Sequence, residues 1–158
     1  MSPGDTIKMG IANLHDAFLN TSLLRKKMHQ SPIVDDPELF TMSDRGRFER
    51  MWTASLYVLV ESWKSVQMRQ AREFVTSKVD TNEVEALLRR GKEDGSLRKM
   101  KATRHYMFHR DKRKYWDVGR ISVAGQLEYN ERLHQTFSRV LYEAMKAITP
   151  EEERIQRE

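Results

Sequence analysis

Residues 48–66 read FERMWTASLYVLVESWKSV, and this stretch decides the fold class. Its large apolar side chains recur every three or four residues, which is the spacing of one helical face. They are Phe48, Trp52, Leu56, Leu59, Trp63 and Val66. Met51, Val58 and Val60 widen this face. A helix that is apolar over so much of its surface is typical of the centre of a helical bundle.

The other predicted elements are also helices, separated by prolines, glycines and capping residues. The first runs from near Asp5 to near Gln30, with Ile7, Ile11, Leu14 and Phe18 on one stripe, and a loop with two prolines follows at 31–37. The central helix starts after Thr41 or Ser43 and continues through Phe74 and Val75. A short helix follows Asp80 and carries Val84, Leu87 and Leu88. A break is predicted at Gly91 and Gly95. A fourth helical segment then runs from Ser96 to about Arg110. After an irregular stretch at 111–125, a last helix runs from about Gln126 to Ile148.

These elements predict an all-α fold, an antiparallel bundle of about four to six helices. The chain has 158 residues, so we expect a single all-α domain over 1–158. No apolar run reaches the roughly 18 residues that a membrane helix needs. The chain contains no cysteine, which excludes disulfides and thiolate metal sites, and its first residues do not resemble a secretory signal. We therefore predict a cytoplasmic protein without a membrane segment, whose net charge of +5 permits an anionic partner.

The stretch 97–120, LRKMKATRHYMFHRDKRKYWDVGR, contains the strongest functional signal. On a helix, Arg104 falls in the middle of an apolar face formed by Leu97, Met100, Met107 and Phe108. A buried guanidinium is costly unless it meets a carboxylate, a ligand or water. One interpretation is structural, because Arg104 would then pair with a core carboxylate such as Glu61 or extend to the surface. The other interpretation is functional, since local rules are broken most often at functional sites.

The segment from Arg104 to His109, with the polar His105 directly after the arginine, resembles the R-x4-6-H motif of HEPN domains. The pair Phe108-His109 followed by Tyr115-Trp116-Asp117 also resembles a group of small bacterial proteins. The resemblance implies a bundle of four to five helices that forms a homodimer, with the two motifs meeting in one cleft. It further implies a metal-independent endoribonuclease, in some cases linked to toxin–antitoxin or defence systems, or else an inactive binding module.

On that resemblance, the catalytic residues are Arg104, His109 and His105. Arg104 binds the scissile phosphate, the two copies of His109 act as general base and general acid, and His105 orients a partner or the backbone. The basic residues Arg110, Lys112, Arg113 and Lys114 would bind RNA, with Tyr115 and Trp116 stacking on unpaired bases. No cofactor and no metal are expected.

Several alternatives remain open from the sequence. The basic run can be a solvated loop whose aromatic residues anchor it to the core. His105 and His109 are four residues apart and can ligate a metal together with Asp111 or Asp117. The chain can also be a non-catalytic bundle that binds a protein or nucleic-acid partner, such as an antitoxin-like protein or RNA, or it can be a structural module. His134 is expected at the edge of the core.

Overall fold

A computed structural model describes residues 2–109 and 124–149, and every regular element in these ranges is a helix. The helices are α1 (Pro3–Gln30), α2 (Pro37–Met42), α3 (Asp44–Lys64), α4 (Arg69–Lys78), α5 (Asn82–Asp94), α6 (Ser96–His109) and α7 (Ala124–Ile148), and a 3₁₀ turn at Val66–Met68 separates α3 from α4. None of the helices in the described ranges is long and apolar enough to cross a membrane. The predicted all-α class is confirmed.

The first helix follows its sequence signals closely. The Ser2 side chain accepts a hydrogen bond from the Asp5 backbone N–H, and the Asp5 carboxylate accepts one from the Ser2 backbone N–H. This reciprocal cap satisfies two backbone donors that have no partner within the helix. Ile11, Leu14 and Phe18 are buried, as their spacing predicts. The predicted start near Asp5 and end near Gln30 agree with α1 to within two residues.

Helix α2 was not predicted, because it has no buried residue and therefore no apolar periodicity. Capping residues at its ends stabilise this helix instead. The Asp36 carboxylate accepts hydrogen bonds from the backbone N–H groups of Glu38 and Leu39, and Pro37 occupies the first helical turn. The Ser43 hydroxyl then caps α3 by accepting from the Gly46 backbone N–H, so the predicted start after Ser43 is confirmed.

The prediction that the central helix continues through Phe74 and Val75 is wrong. Helix α3 ends at Lys64, because Ser65 adopts an extended conformation and its hydroxyl donates to the Ser62 carbonyl. The Arg72 guanidinium donates to the carbonyls of Trp63 and Ser65 at this helix end, and the Ser65 carbonyl also accepts from the Met68 backbone N–H.

This break also changes the predicted apolar face. Val66 lies in the 3₁₀ turn and is 86% exposed, whereas Trp52, Leu56 and Leu59 are fully buried. The break and α2 together raise the number of α-helices in the described ranges to seven, above the predicted four to six.

A helix end was predicted at Gly91 and Gly95, and only one of these glycines ends a helix. Gly95 ends α5 in the left-handed conformation, with φ of 83°. Gly91 lies inside α5 and is buried. A Cβ atom at Gly91 would lie 2.2 Å from the hydroxyl oxygen of Tyr129, so this glycine permits close packing of α5 against α7.

Helix α3 lies at the centre of the bundle and packs mainly against α1 and α6. The Arg45 guanidinium at the start of α3 donates to the carbonyls of Met28 and Ser31 at the end of α1, so these two helices are antiparallel. Helix α1 is antiparallel to α7 as well. Ser22 and Arg25 of α1 contact His134 and Glu131 of α7, respectively, in this opposite order, so α3 and α7 run in the same direction. These directions agree with the predicted antiparallel bundle, in which alternate helices are parallel. The buried core includes Leu14, Trp52, Leu56, Trp63, Val84, Met100, Tyr129, Leu133, Phe137 and Leu141.

Candidate functional site

The second half of α6 carries the candidate motif, and α3 supports it. Leu97, Met100 and Thr103 form the buried side of α6, and the Thr103 hydroxyl donates to the Lys99 carbonyl. The predicted apolar face is therefore wrong in its later part. Phe108 is 68% exposed, and Arg104 lies at the edge of the buried side rather than within it.

Arg104 reaches across to α3, where it contacts two side chains. Its Nη1 donates to Glu61 Oε1, and the two groups form an ion pair between residues 43 positions apart. The Arg104 guanidinium also lies over the ring of Tyr57, with its carbon 5.6 Å from the ring centroid. The side chains of Arg104 and Glu61 keep 31% and 43% of their exposure, respectively. The pairing with Glu61 agrees with the structural interpretation, but the pair lies at the surface and not in the core.

The pKa of Tyr57 is affected by the same two neighbours, Glu61 and Arg104. Partial burial raises the pKa of the Tyr57 hydroxyl, the Glu61 carboxylate raises it further, and the Arg104 guanidinium opposes both effects. Tyr57 therefore stays neutral at physiological pH and presents an uncharged aromatic face to Arg104. Tyr57, Glu61 and Arg104 form one contiguous cluster between α3 and α6.

The other predicted catalytic residues are placed only in part. His105 is half-buried on α6, and His109 is the last residue of that helix. The side chain of His109 lies outside the described part of the structure. So do all six predicted RNA-binding residues, which are Arg110, Lys112, Arg113, Lys114, Tyr115 and Trp116. Their roles remain predictions.

The sequence also allows a metal site formed by His105 and His109 with Asp111 or Asp117. The two aspartates lie outside the described ranges, so this alternative is untested. Within residues 2–109 and 124–149, no three histidine, aspartate or glutamate side chains converge to hold a metal ion. A surface pocket between α1 and α4 lies apart from the motif residues and is lined by Thr6, Val66, Gln67, Arg69, Gln70 and Glu73.

A buried polar network near the start of α7 was not predicted. The Gln126 amide donates to Asn130 Oδ1, and the Asn130 amide donates to the Thr53 hydroxyl on α3. Gln126 Oε1 is buried and has no hydrogen-bond partner among the described residues. The spacing of Gln126 and Asn130 places both on one face of α7, but a polar residue on an apolar helix gives no indication of its partner.

His134 is buried in the core between three helices. The Trp52 indole N–H on α3 donates to His134 Nδ1 at 3.2 Å, and the Ser22 hydroxyl on α1 lies 3.5 Å from Nε2. The proton of the neutral ring is therefore on Nε2. Burial lowers the pKa of His134 from 6.5 to about 4; Arg25 adds to this effect, and Glu131 opposes it. The ring is more deeply buried than the predicted position at the core edge.

We expect this histidine to make the fold sensitive to acid. The unfolded chain takes up a proton at His134 near pH 6.5, whereas the folded chain does so only near pH 4. Stability is therefore complete above pH 6.5 and falls by about 3 kcal/mol as the pH drops to 4. The free energy of unfolding can be measured in urea for wild type and His134→Gln between pH 4 and 8. The difference between the two slopes of this free energy against pH gives the contribution of His134. Equal slopes for wild type and His134→Gln would contradict the prediction.

No protein-family model, curated protein or solved structure matches this chain. The features of the chain that bear on its function are the geometry of the Arg104 cluster and the motif that contains it.

Proposed function

We propose that this chain is a HEPN-like, metal-independent endoribonuclease that acts as a cytoplasmic homodimer. The observation that supports this best is the position of Arg104. Its guanidinium is held by Glu61 and Tyr57 at a surface that solvent reaches, near the end of a late helix. An arginine enclosed in the core could not reach a phosphate, whereas Arg104 keeps donor groups that face solvent.

The proposed reaction uses the 2′-hydroxyl of RNA as its nucleophile. One His109 removes the hydroxyl proton, and the 2′-oxygen attacks the adjacent phosphorus. The second His109, from the other protomer, gives a proton to the leaving 5′-oxygen as its bond to phosphorus breaks. The products are a 2′,3′-cyclic phosphate and a 5′-hydroxyl. Arg104 stabilises the charge on the phosphate oxygens, and His105 beside it orients a partner group.

The cluster also favours a second candidate, a non-catalytic bundle that binds RNA or an antitoxin-like protein. Glu61 already occupies one nitrogen of the Arg104 guanidinium. A carboxylate at this position weakens the attraction between Arg104 and a phosphate. A site in which Arg104 mainly organises the surface would bind a partner without cleaving it.

Cleavage assays in EDTA separate the two candidates. Wild-type protein should cleave labelled single-stranded or transfer RNA and leave 2′,3′-cyclic phosphate ends. Arg104→Ala and His109→Ala should each lower the rate by about 100-fold or more, because each removes a group that acts in the transition state. Lys99→Ala is the matched control, since it removes an exposed cation from the same helix outside the motif.

The result depends on intact folding and on dimer formation. Thermal unfolding followed by circular dichroism should show that the variants fold, and sedimentation should give twice the chain mass of 18.7 kDa. Absence of cleavage by folded wild-type protein on both RNAs would favour the binding module. Unfolding of Arg104→Ala would instead make the arginine a structural residue.

A further inference from the structure

Two rows of side chains, one on α3 and one on α6, extend the Arg104 cluster, and apart from Arg104 none of these residues was predicted to bind a ligand. They are Tyr57, Glu61 and Lys64 on α3, and Lys101, Arg104 and Phe108 on α6. Spacings of three and four residues place each row on one side of its helix. Arg104 joins the rows through its contacts with Glu61 and Tyr57. We call these six residues the α3/α6 face.

The charge of the α3/α6 face suits a polyanion. Lys64 and Lys101 are exposed, and with Arg104 they supply three positive charges against the one carboxylate of Glu61. The net charge of the face is thus 3 − 1 = +2. RNA is attracted to such a surface through its phosphates, with release of bound counterions.

The aromatic side chains of this face distinguish RNA from other polyanions. Phe108 is 68% exposed and lies one helical turn after Arg104, at i+4. An exposed phenylalanine beside cations is a platform on which an unpaired base can stack. Tyr57 is partly exposed on the opposite helix and remains uncharged, so it offers a second aromatic surface to the same strand.

Glu61 has a separate effect on this face. It binds Arg104 through one carboxylate oxygen, and both groups are partly exposed, so their ion pair is weak. An RNA phosphate can therefore replace the carboxylate. As long as Glu61 is charged, however, it competes with that phosphate and repels it.

We propose that the α3/α6 face is the RNA-binding surface of this protein and that Glu61 limits its affinity by competing with phosphate for Arg104. This inference rests on the proposed action on RNA, and it adds the residues of α3 together with Lys101 and Phe108 to the binding surface. Glu61 is a residue that tunes affinity, and it has no part in proton transfer.

Fluorescence anisotropy with a labelled 20-nucleotide oligouridine tests the role of Glu61. Glu61→Gln keeps an acceptor for Arg104 but removes the negative charge. The variant should bind about three- to tenfold more tightly than wild type at 50 mM NaCl, and its affinity should fall more steeply with salt. Glu73→Gln is the matched control, because Glu73 forms a similar exposed pair with Arg69 on α4. Its affinity should stay within about twofold of wild type, since the lost charge is remote from the face.

A second pair of variants tests the surface itself. Phe108→Ala should weaken oligouridine binding by about fivefold or more, through the loss of one stacked base. Tyr142→Ala is its control, because Tyr142 is 60% exposed on α7 and also lies beside a lysine, Lys146. Both aromatic side chains are exposed, so neither change should unfold the protein.

The outcomes distinguish this inference from the proposed catalysis. Tighter binding by Glu61→Gln and weaker binding by Phe108→Ala, with both controls unchanged, would support the α3/α6 face even if the protein cleaves no RNA. Unchanged or weaker binding by Glu61→Gln would overturn the role of Glu61. Equal binding by Phe108→Ala and Tyr142→Ala, or no binding by any variant, would overturn the face, while the cleavage assay would still decide catalysis.

Discussion

Replacing Trp63 with alanine is expected to lower the free energy of unfolding by about 3–5 kcal/mol, one of the two largest losses we expect from a single change. Trp63 is fully buried at the end of α3. Its ring meets Phe137 of α7 edge-on, with ring centroids 5.9 Å apart and planes at 76°. Its indole N–H donates to Glu85 on α5 at 3.2 Å. Alanine would leave a cavity where three helices meet.

Urea unfolding followed by circular dichroism measures this loss. Trp63→Phe is an informative companion, because it keeps most of the ring volume but removes the donor to Glu85. It should cost about 1–2 kcal/mol, which is intermediate between wild type and alanine. Leu39→Ala on α2 is the surface control; Leu39 is largely exposed, so the change should stay within about 0.5 kcal/mol. A cost below about 1 kcal/mol for Trp63→Ala would show that α3, α5 and α7 do not meet at this tryptophan.

Replacing Gly91 with alanine is the second large expected effect, although it adds only a methyl group. The new Cβ would lie 2.2 Å from Tyr129 Oη and 2.8 Å from Leu97 Cγ. Tyr129 is fully buried, and its hydroxyl donates to the Leu87 carbonyl at 2.8 Å. The ring would have to move and lose this bond, so we expect a loss of about 2–4 kcal/mol.

A second glycine provides the control for this experiment. Gly4 lies in the first turn of α1, and a Cβ there would come no closer than 3.8 Å to Ser2 Oγ. Gly4→Ala should therefore be neutral or stabilise by up to about 1 kcal/mol, because alanine favours helix. In a Tyr129→Phe background, which removes the clashing oxygen, Gly91→Ala should cost clearly less. An equal cost in both backgrounds would mean that the hydroxyl oxygen is not the main obstacle, because Tyr129 Cζ would also lie 2.7 Å from the new Cβ.

Gly91 also shows where prediction from sequence fails. Gly91 and Gly95 look alike in the sequence, and both were predicted to break the chain. Gly95 does so because its backbone has a positive φ. Gly91 is retained inside a helix because a tyrosine from α7, far along the chain, packs against its backbone. Rules based on neighbouring residues predict the break at Gly95. They carry no information about the contact between Gly91 and Tyr129.

The same distinction applies to the end of α3 and to the candidate site. The apolar spacing continues past Lys64, so periodicity predicts a longer helix, but Ser65 and Arg72 end it through hydrogen bonds. Arg104 was expected in the middle of an apolar face. Its partner Glu61 was named among the alternatives, yet the sequence could not show that the pair is partly exposed or that Tyr57 completes it.

The sequence by itself determined the helical class, most helix boundaries and most of the core. These depend on spacing within one helix and on capping residues next to it, and such signals are local. Tertiary structure alone decided which side chains from different helices meet: Arg104 with Glu61 and Tyr57, His134 with Trp52, and Tyr129 with Gly91. The physical reason is that burial, pKa and accessibility of a side chain depend on neighbours from distant parts of the chain, which its own segment does not specify.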